Sequence, residues 1–119
     1  MIEKEYDPHE AINYIYTHAP LYAAAKGQLA QLEAYKSSLK AIMMKKSSEQ
    51  SLGGQEREAY ASQDYQNLCV AIGEATEKAE TLKWQITAAT MRFDAWRTEQ
   101  ASNRNLEKMT RWLAYPKNC

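Results

Sequence analysis

Between Tyr65 and Trp96 apolar or small residues recur at alternating steps of three and four, at Tyr65, Leu68, Ile72, Ala75, Ala79, Leu82, Ile86, Ala89, Phe93 and Trp96. At about 3.6 residues per turn this spacing sets all of these side chains on one narrow stripe of a helix, which is hidden from water only against another helix. Carried past Trp96, the same steps land on the polar residues Gln100, Asn103, Glu107 and Thr110, while Leu106, Met109 and Leu113 form an apolar set out of phase. The pattern therefore predicts a helical core that ends near Trp96, followed by a stretch that either projects or docks elsewhere.

Upstream, Asp7-Pro8-His9-Glu10 carries helix-start signals: a carboxylate that can cap free amides, a proline suited to the first turn, and a glutamate for a capping box. They predict a helix over 8–18 with Ile12, Ile15, Tyr16 and Ala19 on one face. Pro20 is expected to end it, because its ring clashes with the preceding turn and its nitrogen carries no proton. A second helix is expected over 20–46, its apolar face made by Leu29, Leu32, Tyr35, Leu39, Ile42 and Met43 and its weak position Gly27. Residues 47–54 (SSEQSLGG) read as a loop and 55–60 as a short helical turn. Ser62 is a candidate cap for a third helix over 63–114, before Pro116, which would run on the order of 75 Å if unbroken.

Two long amphipathic helices on a short connection pack antiparallel. The fold expected is thus all-α, with residues 1–119 forming one domain: an antiparallel, coiled-coil-like hairpin of two long helices plus a short N-terminal helix. Tyr14, Tyr16, Tyr22, Trp84, Met91 and Trp112 fall off the main stripe. One hairpin and one short helix are too little to cover them, so a homo-oligomer is expected.

Charge supports the orientation. Lysine plus arginine equals aspartate plus glutamate at fifteen each, yet the blocks alternate: −3 over residues 1–20, +4 over 21–46, −5 over 47–80 and +4 over 81–119. An antiparallel hairpin brings Lys36, Lys40, Lys45 and Lys46 beside Asp64, Glu74, Glu77 and Glu80, a pattern that favours this pairing although each exposed pair contributes little. The acidic N-terminus lacks the apolar stretch of a signal peptide, and no run of eighteen apolar residues is present to span a bilayer, so a soluble, cytosolic protein with no membrane partner is expected.

Templates for catalysis are missing. The chain has no GxSxG, GxxxxGK, GxGxxG, HExxH or EF-hand pattern. Cys69 and Cys119 lie fifty residues apart without a CxxC pair, which disfavours a disulfide scaffold or a zinc site; Cys69 is expected to be a small half-buried apolar residue. His9 and His18 read as ordinary surface or cap residues, and Glu74, Glu77 and Glu80 as a solvated face. No catalytic residue, metal ligand or cofactor is expected, and the chain does not read as an enzyme.

One stretch carries a binding pattern. Arg97, Arg104, Lys108 and Arg111 are spaced seven, four and three apart, which at about 100° per residue keeps them within a stripe of roughly 60°. Trp96 and Trp112 lie beside its ends, with Asn103 and Asn105 between. Cations that track phosphates, together with flat rings for unstacked bases, are what a single-stranded nucleic-acid site requires. The plainer reading is a solvated basic face favoured by the helix macrodipole near its C-terminus.

Three runs, LEAYKSSLKAIMM (32–44), QEREAYASQDY (55–65) and KWQITAATMRFDAWRTEQASN (83–103), resemble a family of short all-helical proteins encoded by tailed bacteriophages. The similarity covers most of the chain beyond residue 20, and the helical hairpin is similar to recombination mediators that load a recombinase on single-stranded DNA. The resemblance implies a phage accessory protein in the cytoplasm of the infected bacterial host. Its implied partners are itself, single-stranded DNA and a phage or host recombination protein. The zero net charge departs from the basic surface that mediators are expected to show. The alternative is a phage antagonist of a host defence system, similar to anti-CRISPR proteins, acting by protein–protein binding; a structural virion or assembly part would carry the same heptads.

Overall fold

The computed structural model describes residues 5–114, which form three helices and, among those residues, no strand: α1 (Pro8–Lys46), α2 (Leu52–Ala61) and α3 (Gln63–Ala114). Pro116 and Cys119 lie outside the described residues. Helix α1 opens as its sequence signals require, with Pro8 in the first turn and the Asp7 carboxylate accepting from the His9 amide at 2.9 Å.

Helices α1 and α3 run antiparallel. Near one end the rings of Tyr6 and Trp96 meet at 6.3 Å, further along the Tyr14 hydroxyl donates to Gln85 Oε1 at 3.3 Å, and at the far end Leu39 clusters with Tyr65 and Leu68. All ten positions of the Tyr65–Trp96 seam are buried or half-buried, with Tyr65, Leu68, Ala75 and Ala79 the most enclosed. The interior is thin. The molecule measures 99 × 29 × 24 Å with a radius of gyration of 27.3 Å, against about 13–14 Å for a compact chain of this length. It exposes 9741 Å², where a compact monomer of the same mass exposes about 6,600 Å².

The break expected at Pro20, separating helices over 8–18 and 20–46, is not there: α1 is one helix of 39 residues with Pro20 inside it. Half-buried or buried residues at Ile15, His18, Tyr22, Ala25, Leu29, Leu32, Leu39 and Met43 step by three, four or seven straight through the proline. Burying that stripe against α3 offsets the roughly 3 kcal/mol of an interior proline. Tyr16 and Pro20 are both exposed, so water can take the Tyr16 carbonyl that the proline cannot reach. The buried face also differs from the one expected. Ile12, Tyr16, Tyr35 and Ile42 are exposed, whereas His18 turns inward, its ring stacked on Tyr14 at 3.8 Å with Nδ1 at 2.8 Å from the Tyr14 carbonyl.

The loop is shorter than the expected 47–54. Helix α2 begins at Leu52, with Ser51 as its cap: the Ser51 hydroxyl accepts from the Gly54 amide at 3.0 Å. Gly54 keeps this cap uncrowded, because a Cβ would stand 2.8 Å from Ser51 Oγ and 3.1 Å from Glu49 Oε2. Ser62 both closes α2, donating to the Ala59 carbonyl at 2.6 Å, and caps α3, accepting from the Tyr65 amide at 3.3 Å.

Helix α2 lies against the C-terminal end of α1. Lys40 Nζ sits 3.2 Å from Glu56 Oε1 and 4.8 Å from the centre of the Tyr60 ring; Tyr60 and then Glu56 hold its pKa above the ordinary lysine value. Tyr60 in turn meets Tyr65 edge to face at 5.2 Å. The basic end of α1 is therefore matched by α2: among the described residues, no ion pair joins Lys36, Lys40, Lys45 or Lys46 to Asp64, Glu74, Glu77 or Glu80. Cys69, expected half-buried, is exposed.

Past Trp96, α3 outruns its partner. Residues 102–114 are exposed on every face, and the stretch 97–114 extends about 27 Å beyond the hairpin.

Candidate nucleic-acid interface

The overhang of α3 carries the basic stripe. Because the helix continues unbroken to Ala114, Arg97, Arg104, Lys108 and Arg111 keep one face over about 21 Å, and all four are exposed. Arg97 reaches Asp94 Oδ1 at 4.0 Å with both side chains about two-thirds exposed, a pair that contributes little in water. Among the described residues Arg104, Lys108 and Arg111 have no ion-pair partner. Three cations thus stand free to exchange their counterions for phosphates.

Where the overhang leaves the hairpin, an open groove of about 590 Å³ is lined by Asp94, Trp96, Arg97, Thr98, Gln100 and Arg104. The structure therefore brings Trp96, Arg97 and Arg104 to one depression, while Lys108, Arg111 and Trp112 continue outward along the helix. The two tryptophans are unlike. Trp96 is half-buried and packs on Phe93 at 6.0 Å and Tyr6 at 6.3 Å, so its ring closes the hairpin. Trp112 is 73% exposed with a free face. Of the pair, Trp112 is the one able to stack on a base.

Asp94 belongs to this groove although the basic stripe does not point to it; its place three residues before Arg97 is the helical ion-pair spacing and is a signal readable in the sequence. Arg92, whose guanidinium lies 5.1 Å from the centre of the Tyr6 ring, is turned to the hairpin and stands apart from the stripe. Among the described residues no helix is long and apolar enough to cross a membrane. No protein-family model, curated protein or solved structure matches the chain.

Proposed function

We propose that the protein is a phage accessory factor that self-assembles and binds single-stranded DNA in the cytoplasm of the infected bacterial host, assisting recombination or recombinase loading without chemistry of its own. The observation that carries this reading is the exposed end of α3, where three cations without ion-pair partners among the described residues share the helix with one exposed tryptophan. Phosphate contacts release condensed counterions, and an aromatic face stacks on bases of any sequence. A single stripe of four cations binds weakly at physiological salt; several copies on one strand bind by avidity. The exposed Trp84 and Met91 favour a second reading, in which the helical surface blocks a host defence complex by protein–protein contact.

Fluorescence anisotropy of a labelled oligonucleotide at several salt concentrations separates the two. Wild-type protein should bind single-stranded DNA at low salt. The Arg104→Gln/Arg111→Gln variant should bind more weakly for all sequences alike, with a logarithmic salt slope flatter by about 0.7 for each phosphate no longer neutralised. No binding by wild-type protein at low salt overturns the DNA reading and leaves the antagonist.

A further inference from the structure

A second stripe runs along α3 on the side away from α1. Trp84, Met91, Leu106, Met109 and Leu113 are each more than 60% exposed, and Ala88 is exposed with them. At about 100° per residue these six fall within some 60° of one another, roughly opposite the four cations of the overhang. The stripe spans about 44 Å. It crosses without a phase change from the stretch covered by α1 to the overhang, whose residues 102–114 are exposed on every face.

Its spacing is a palindrome. From Trp84 to Leu113 the steps are four, three, fifteen, three and four. A copy of α3 laid antiparallel about a two-fold axis between Thr98 and Glu99 therefore sets Trp84 opposite the partner's Leu113, Ala88 opposite the partner's Met109 and Met91 opposite the partner's Leu106. An isologous interface demands this self-complementarity, since each contact must occur twice with the roles exchanged. Small residues, Ala95 and Ser102, flank the axis along the stripe and let the backbones approach. The chain exposes about 3,000 Å² more than a compact monomer would, ample for the roughly 800 Å² per partner of a standard interface. Most helical stability in proteins comes from packing of an amphipathic face, which the described residues do not supply to 102–114, so this stretch gains most from such a partner.

We propose that this stripe is the surface on which a second copy of the chain docks, antiparallel, α3 against α3. The inference rests on the self-association part of the proposed function and is independent of its DNA part. The pairing turns both basic stripes outward and points them in opposite directions along one continuous body. Its one adverse feature is Glu99, the only charge close to the axis, where two carboxylates meet and weaken the dimer.

Sedimentation and cysteine cross-linking test it, the latter in a Cys69→Ser/Cys119→Ser background. Wild-type protein should be a dimer at micromolar concentration, Leu106→Asp a folded monomer whose melting temperature no longer depends on protein concentration, and Glu99→Gln a tighter dimer. Glu99→Cys should cross-link to itself across the axis, whereas Leu113→Cys, whose two copies lie far apart, should not. Self-cross-linking of Leu113→Cys means a parallel pair and overturns the proposal, as does a wild-type monomer at all concentrations. Titrating Leu106→Asp with labelled single-stranded DNA keeps the two ideas apart. A monomeric wild type that binds DNA refutes the docking surface together with the self-association it rests on and leaves the DNA reading standing, and a dimer that ignores DNA refutes the DNA reading alone.

Discussion

Residues 63–96 and 97–114 belong to one helix yet live under opposite conditions. In the first stretch each turn delivers a side chain to the α1 seam, and Tyr65, Leu68, Ala75 and Ala79 are at most 8% exposed. In the second the described structure supplies no partner, and Leu106, Met109, Trp112 and Leu113 are all above 60%. Helix propensity alone does not hold eighteen residues in water with any margin. The helix continues this far past its support with apolar residues on one face and cations on the other, the two features on which the proposed contacts outside the monomer rest.

The contrast breaks most visibly at Leu68. Leu68→Asp places an unpaired carboxylate in the Leu39–Tyr65–Leu68 cluster and should lower stability by several kcal/mol, unfolding the chain in circular dichroism. The same change at an overhang position should leave the hairpin folded. If Leu68→Asp melts like wild type, the seam does not hold the hairpin.

A smaller effect, of the opposite sign, belongs to α1. Pro20→Ala restores an amide to a helix that is continuous across this position, and should stabilise by about 1–3 kcal/mol once the stiffening that proline gives the unfolded chain is subtracted. A drop in melting temperature would mean that the proline sits at a corner instead.

These two positions also show what could be read in advance. The α3 seam was legible because its spacing is regular over ten positions and its residues, alanines included, are apolar or small throughout. The seam of α1 was not, because it passes through His18 and Ala25, and because the local rule against proline outweighed a periodicity that continues on both sides of it. Paired glycines at 53 and 54 masked the Ser51 cap for the same reason: a strong local breaker signal conceals a weaker positional one. Among the candidate site residues, the common face of Arg97, Arg104, Lys108 and Arg111 follows from spacing alone. The different fates of Trp96 and Trp112 do not, since Trp96 is claimed by Tyr6, a partner ninety residues away in the chain. The second apolar stripe stayed hidden because Leu106, Met109 and Leu113 read as a separate set beyond the core, and Trp84 and Met91 as residues merely off the main stripe, although all five share one face of α3.

The glycines refine the comparison further. Gly27 and Gly73 lie in helices with nothing within 4 Å of an added Cβ, so alanine at either should stabilise by about 0.5–1 kcal/mol. Gly54→Ala should destabilise, because its Cβ would press on the Ser51 cap. Equal effects at the three sites in thermal melts would refute the cap geometry.

The smallest change expected is at Lys40. Lys40→Met removes the interactions with Glu56 and Tyr60 and should speed hydrogen exchange in α2 while hardly moving the global melt. With its folded pKa raised by Tyr60 and Glu56, this interaction is complete below the unfolded lysine pKa of about 10.4 and fades only as pH rises through the folded value. Protection of α2 should therefore be flat from pH 6 to 9; a loss within that window would contradict the assignment.

Hydrogen exchange read segment by segment tests the central claim, that the end of α3 is an interface held open for partners. Residues 65–82 should be protected to the same degree at all protein concentrations, with or without single-stranded DNA. Residues 98–114 should exchange fast in dilute protein, slow as concentration rises, and slow again when the oligonucleotide is added. Protection of 98–114 that is already full in dilute protein, or that responds to neither concentration nor DNA, would contradict the account.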